Sequence, residues 1–143
     1  VKGATLLKDT VLQIFEGNVK AVPQEELHDE SHQHAPKIFK ADCKIDWSKN
    51  TEEIHNKIRG LSPYPTAWTE FIINGKKKSI KLFESRKKLD GQNHLGQLKL
   101  DESLLIGSTD GWVEILQLQV EGKKRMKATD FISGYNQAEI ELA

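Results

Sequence analysis

Three short basic clusters are the residues of this chain best suited to chemistry: Lys76-Lys77-Lys78, Arg86-Lys87-Lys88 and Lys123-Lys124-Arg125. Cations packed this closely neutralise phosphates. Such contacts give affinity that falls with salt and carry no sequence information themselves. A fourth set, Lys37, Lys40 and Lys44, recurs at intervals of three and four among the apolar anchors Ile38, Phe39, Ile45 and Trp47. Trp68, Phe71 and Trp112 could stack on bases, but they lie in strand patterns and read first as core. The competing reading of the basic clusters is a set of solvated lysines on turns.

Other reactive groups carry less. His28, His32 and His34 fall between Pro23 and Pro36, with His28 and His32 at i, i+4. Zinc would need further matched ligands, and no cysteine partner accompanies them, so no metal is expected. Cys43 stands alone and reads as a packing residue rather than a nucleophile. No Gly-rich phosphate loop, Walker pattern or Cys-x-x-Cys pair occurs. No catalytic residue is expected within this chain.

The 143 residues suit about one domain. With 37% hydrophobic and 29% charged residues, the balance is that of a globular domain. The longest apolar runs, such as Phe71-Ile72-Ile73, are far too short to span a bilayer. The N-terminus lacks the basic head and apolar core of a signal peptide. One cysteine excludes an internal disulfide framework, and a cytoplasmic setting is expected. The formal net charge of zero hides an asymmetry: residues 1–35 carry −3, residues 36–88 carry +7 and residues 89–143 carry −4. A basic middle between acidic ends is the electrostatic outline of a polyanion-binding surface.

The elements that must position these groups follow from periodicity. Leu7, Val11, Ile14 and Phe15 mark a helix over residues 4–16, stopped by Gly17. Its apolar stripe requires a cover, which suggests a chain cut from a larger protein. A second helix is expected over residues 50–60. Asn50 caps it, Glu53 completes a capping box, and Ile54, Ile58 and Leu61 form the buried face. Arg59 suits its C-terminal dipole, Gly60 can end it, and Pro63 and Pro65 prevent its return. Strands follow. Trp68–Ile73 turns through Asn74-Gly75 into Ser79–Glu84, which puts Lys76–Lys78 at a hairpin tip. Arg86 to Gln97 reads as a polar loop. Leu98–Leu100 and Leu104–Gly107 read as short strands, and Asp110-Gly111 as a second hairpin turn. Trp112–Val120 is the longest expected strand, with Leu116, Leu118 and Val120 on one face. A short helix over Thr129–Ser133, ended by Gly134, completes the chain. Five or six short strands with hairpin turns predict a mainly β fold with flanking helices, closed as a small antiparallel barrel.

Several of these motifs resemble the methionyl-tRNA formyltransferase family. Ile45-Asp46-Trp47-Ser48 and Ile58 through Ala67 (IRGLSPYPTA) look like its junction motif, and Ala35-Pro36-Lys37-Ile38 its linker. Ala4 to Leu7 with Pro23-Gln24 resembles the closing segment of its catalytic domain. Leu116-Gln117, Gly122 to Met126 and Asp130-Phe131 to Gly134 resemble the last strand, basic turn and terminal helix of its barrel. Residues 85–97 and the turn Ser108-Thr109-Asp110-Gly111 depart from the family pattern.

The resemblance implies that residues 1–35 are the remnant of a Rossmann-like catalytic domain and the start of a linker. Residues 36–143 would be an OB-like Greek-key tRNA-binding barrel that includes the junction helix. It implies a parent enzyme that moves a formyl group from 10-formyltetrahydrofolate to the amino group of methionyl initiator tRNA. The catalytic and folate sites would lie upstream, with the fragment inactive, without bound folate and monomeric. The tRNA-binding candidates are then Lys37, Lys40, Lys44, Arg59, Lys76, Lys77, Lys78, Arg86, Lys87, Lys88, Lys123, Lys124 and Arg125. Two alternatives stay open: the barrel of a related formyltransferase acting on a nucleotide sugar, and a non-catalytic interaction domain.

Overall fold

The computed structural model describes residues 2–23, 26 and 35–143. The histidines His28, His32 and His34 lie outside the described residues. The chain separates into two compact units, residues 1–36 and 37–143.

The first unit contains helix α1, Lys2–Phe15. It ends as its sequence requires. Gly17 adopts φ +69°, its N–H donates to the Ile14 carbonyl, and the Asn18 N–H reaches back to Gln13. The stripe residues Leu7, Val11, Ile14 and Phe15 are all exposed.

The second unit opens with a 3-10 turn, Ala41–Cys43, and helix α2, Thr51–Leu61. Asn50 Oδ1 accepts the Glu53 N–H at 2.8 Å, and the Glu53 carboxylate accepts the Asn50 N–H, so the expected capping box is formed. Such a cap is worth about 1 kcal/mol. Ile54 and Ile58 are buried, each worth about 1.5–3 kcal/mol. Gly60 does not end the helix. The helix runs through it to Leu61 and stops at an extended Ser62, because Pro63 offers no N–H to continue it. The Ser62–Pro63 and Tyr64–Pro65 bonds are both cis.

Among the described residues seven strands form one sheet: β1 Ala67–Ile73, β2 Lys76–Leu89, β3 Leu98–Leu100, β4 Leu104–Gly107, β5 Gly111–Val120, β6 Met126–Lys127 and β7 Ile140–Leu142. A short helix α3, Ala128–Gly134, follows β6. The strand order is β3-β4-β5-β2-β1-β7, with β6 also paired to β5. All these pairings are antiparallel, and the sheet rolls into a nearly closed barrel flanked by α2 and α3. The expected fold class is therefore the observed one. Asn74 (φ +50°) and Gly75 (φ +71°) make the β1–β2 turn that their types predict. Phe71, Ile80, Leu82, Val113, Ile115, Leu118 and Phe131 fill the core with Ile54 and Ile58 of α2.

The sheet corrects the sequence reading in three places. β2 extends from Lys76 to Leu89, so Arg86-Lys87-Lys88 lies on a strand and not in a loop. Pairing with β5 supplies the order that this polar sequence does not advertise: Arg86 faces Glu114, Lys87 faces Val113 and Lys88 faces Trp112. β2, not the Trp112 strand, is thus the longest. Second, Leu116 is not in one row with Leu118 and Val120. The ladder shifts between Leu82/Glu84 and Glu84/Ser85, leaving Phe83 in β2 and Leu116 in β5 each without an opposite residue. The inward row of β5 is Val113, Ile115, Leu118 and Val120, all buried, while Leu116 is only partly so. Third, two strands join the five located in the sequence, the two-residue β6 and then β7. The three residues of β7 give too short a pattern to read, and it pairs along the edge of β1.

One loop is fixed by a glycine. A Cβ on Gly107 would lie 1.8 Å from the His94 carbonyl oxygen, so the close approach of the segment after β2 to β4 requires a glycine there. His94 stacks on Trp112 with ring centroids 4.3 Å apart and reaches Asp90 at 2.7 Å.

Candidate nucleic-acid interface

Strand alternation divides the first lysine cluster. Across the β1–β2 ladder, Lys77 faces Ile72, Ser79 faces Glu70 and Lys81 faces Trp68. These residues share the outer face, since Phe71, Ile80 and Leu82 are buried. Lys76 and Lys78 have the opposite parity and line a hollow at the barrel's end with Ile73, Lys123 and Tyr135. The hairpin-tip lysines and one member of the Lys123-Lys124-Arg125 cluster are thereby brought together.

Beside that hollow lies a cleft of about 510 Å³. Ile38, Lys40, Tyr64, Trp68, Lys81 and Gln119 are among its lining residues. Glu121 borders both cavities. Trp68 donates its indole N–H to the Lys40 carbonyl at 2.9 Å, which holds the 37–43 segment against the sheet. The ammonium groups of Lys40 and Lys44 lie 5.8 and 5.3 Å from the Trp68 ring. Lys44 is committed to Glu70 at 2.6 Å, and Lys77 reaches the same carboxylate at 3.5 Å. The Lys44 hydrogen bond holds the Glu70 carboxyl below its usual range. Lys37 lies over Phe39, 5.5 Å from its centroid.

The remaining candidates are elsewhere on the unit. Arg86 and Lys88 approach Glu114 at 3.8 and 3.5 Å. Lys87 is paired with Glu52 of α2, which lowers the Glu52 pKa. The Arg86-Lys87-Lys88 cluster is therefore partly neutralised, three cations facing two carboxylates, which lowers its value to a phosphate. Arg59 hydrogen-bonds Asn56 on α2 at 2.8 Å. Arg125 lies 4.2 Å from the Phe83 ring and bonds Gln117 at 2.8 Å. Trp112 and Phe71 are buried and unavailable to bases, whereas Trp68 is partly open.

Two contributors were missed in the sequence. Lys81 sits singly between apolar residues, and only the β1–β2 register puts it opposite Trp68. Tyr64, 88% exposed, is an aromatic surface that the sequence reading does not single out. Its signal was available: an aromatic residue between two prolines has few ways to turn inward.

The fold agrees with the comparisons. The family model for the formyl transferase C-terminal domain matches residues 37–136. Methionyl-tRNA formyltransferase of Phocaeicola vulgatus is 41% identical over 139 residues, covering 93% of this chain and 43% of that protein. Methionyl-tRNA formyltransferase of Azobacteroides pseudotrichonymphae is 43% identical over 139 residues, covering 92% and 43%. The chain thus spans less than half the length of these curated relatives. Among solved structures, HypX from Aquifex aeolicus in complex with tetrahydrofolic acid matches with a TM-score of 0.64 at 19% identity, over 90% of this chain and 22% of HypX. That likeness speaks to the fold alone. With a family match across most of the barrel unit and its motifs in order, the chain belongs to the formyl transferase C-terminal domain family.

Proposed function

We propose that this chain is the tRNA-holding C-terminal portion of a methionyl-tRNA formyltransferase. The parent enzyme transfers a formyl group from 10-formyltetrahydrofolate to the amino group of methionyl initiator tRNA in the cytoplasm. The observation that carries the reading is identity of about two residues in five, over nearly the whole chain, to relatives bearing that name. Residues 1–35 are the tail of the catalytic domain and its linker, which accounts for an apolar stripe on α1 that needs a cover. Folate and the catalytic residues belong to the upstream domain, and the chain acts as a monomeric holder.

The physical role is positioning. Phosphates of the tRNA lie on Lys76, Lys78 and Lys123 around the end of the barrel and on Lys40, Lys77 and Lys81 along its outer face. The junction helix α2 sets where that surface stands. Each phosphate contact releases condensed counterions, so affinity should fall linearly in logarithm with salt, by about 0.9 per contact on duplex. The test is initiator tRNA binding by the chain across a salt series. Replacing Lys76, Lys78 and Lys123 with glutamate should weaken binding and flatten the slope by roughly three. Reversing Arg86 and Lys88 instead should do less, because both already face the Glu114 carboxylate. Salt-independent binding would sink the proposal. So would formyl transfer by the full-length parent to a nucleotide sugar and not to methionyl-tRNA.

A further inference from the structure

We propose that the cleft beside the junction turn binds one unpaired RNA nucleotide, its base against Tyr64 and its phosphate between Lys40 and Lys81. The inference rests on the nucleic-acid reading above and adds a site of a different kind to it. Four observations converge. The cleft, about 510 Å³, lies in the range of small-molecule sites and is bordered by both apolar and polar groups. Tyr64 lines it while 88% exposed, an unusual exposure for a large ring without a partner. Pro63 and Pro65 on either side restrict the backbone, so ordering this ring on binding costs little conformational entropy. Lys40 and Lys81 have no carboxylate within ion-pair distance among the described residues, unlike Lys44, Lys77, Arg86, Lys87 and Lys88.

The chemistry of the lining separates a splayed base from a duplex. A duplex offers phosphates on a convex surface and hides its base faces, so it needs only cations. A concave cleft with an open aromatic face suits a base taken out of its stack. Gln119 donates its amide to the Lys123 carbonyl at 2.8 Å, leaving its own carbonyl oxygen to accept from a base edge. The Glu121 carboxylate, 3.4 Å from the Ser79 N–H, is a second acceptor. The pairing of a ring for the base, two free ammonium groups for the phosphate and acceptors for base N–H groups describes a nucleotide and fits a plain anion poorly.

The experiment titrates the 143-residue chain with a single-stranded RNA hexanucleotide and with a blunt duplex of the same sequence at one salt concentration. Trp68 is partly open while Trp47 and Trp112 are buried, so shielding from acrylamide reports occupancy of this cleft. Tyr64→Ala should lower single-strand affinity on the order of tenfold, leaving duplex affinity and melting temperature unchanged. Tyr64→Phe, which keeps the ring, should bind as the parent does. Lys81→Gln should lower single-strand affinity and weaken its salt dependence. Single-strand affinity unmoved by Tyr64→Ala, or duplex affinity lowered equally, would overturn the site. Salt-dependent tRNA binding that survives alongside an unmoved Tyr64→Ala would overturn this site and leave the tRNA-holding function standing.

Discussion

Asp110 is the residue whose loss should cost most for its size. Its Oδ1 accepts from the Thr51 N–H at 2.7 Å and the Thr51 hydroxyl at 2.5 Å, with the Ser108 hydroxyl, whose one proton it shares with the Gly111 carbonyl, at 3.2 Å. Thr51 opens helix α2, and Thr51 and Ser108 are fully buried. The carboxylate thus fastens the junction helix to the β4–β5 turn. Hydrogen bonds to a charged acceptor are worth about 1.5–3 kcal/mol. Asp110→Ala leaves the Thr51 N–H without its acceptor. The Thr51 hydroxyl can then donate to Ser108 Oγ, 2.8 Å away, while Ser108 donates to the Gly111 carbonyl at 3.0 Å, which softens the loss. A cost of about 2–3 kcal/mol follows, or roughly 10–15 °C in Tm for a unit of this size. Asp110→Asn keeps an oxygen acceptor and loses the charge, so about 1 kcal/mol is expected. The pH dependence gives a sharper check. The Thr51 hydroxyl, followed by its backbone N–H, lowers the Asp110 pKa. A depressed carboxylate contributes stability above its unfolded value, about 3.9, and loses it as pH falls through the folded value. The stability gap between the parent and Asp110→Asn, measured by urea unfolding from pH 7 down to pH 3, should narrow only at the acid end. A Tm for Asp110→Ala within about 2 °C of the parent would refute the reasoning, as would a gap independent of pH.

Two further outcomes are expected. Gly107→Ala forces its new methyl group into the His94 carbonyl; the loop before β3 must shift, at about 1–3 kcal/mol, with loss of the His94–Trp112 stack visible in the near-ultraviolet circular dichroism. His55, bonded to Ser85 at 2.9 Å, has its pKa lowered by burial first and then by Lys87 and Arg59, so the unfolded chain binds its proton more readily. The parent should therefore lose stability as pH falls from about 6.5 through the lower folded value, and His55→Gln should lack that component in a Tm-against-pH series.

Much of the fold was legible because local chemistry and tertiary structure agree. Asn50 with Glu53, Asn74 with Gly75 and the Gly17 stop are decided within a few residues, and each was read correctly. The readings failed where order comes from a partner strand. Arg86-Lys87-Lys88 has no apolar alternation of its own and becomes a strand only because β5 lies beside it. Leu116 has the right spacing for the core row and is displaced by a register shift that no local pattern announces. Gly60 is a permissive stop, but the helix needed none before Pro63. The basic surface was legible as composition and not as geometry. Charge runs locate cations along the chain, whereas alternation and ion pairing decide which of them remain free: Lys81 gained a place and the Arg86–Lys88 run lost one.

The displaced residues Phe83 and Leu116 have a consequence for how this sheet tolerates change. Each strand carries one supernumerary residue at nearly the same level, so the two insertions cancel and the rows on either side stay in phase. Removing Phe83 alone would bring Leu82 and Ser85 to a spacing of two, so both still face inward, with Leu116 left as a single bulge opposite Glu84. Removing Leu116 as well would restore an unbroken ladder, with Leu82 opposite Leu118, Glu84 opposite Gln117 and Ser85 opposite Ile115. The middle of the barrel is therefore a reserve of length: either strand can lose its supernumerary residue there without turning the rows on either side, whereas a residue lost elsewhere in β2 or β5 would flip one half against the other.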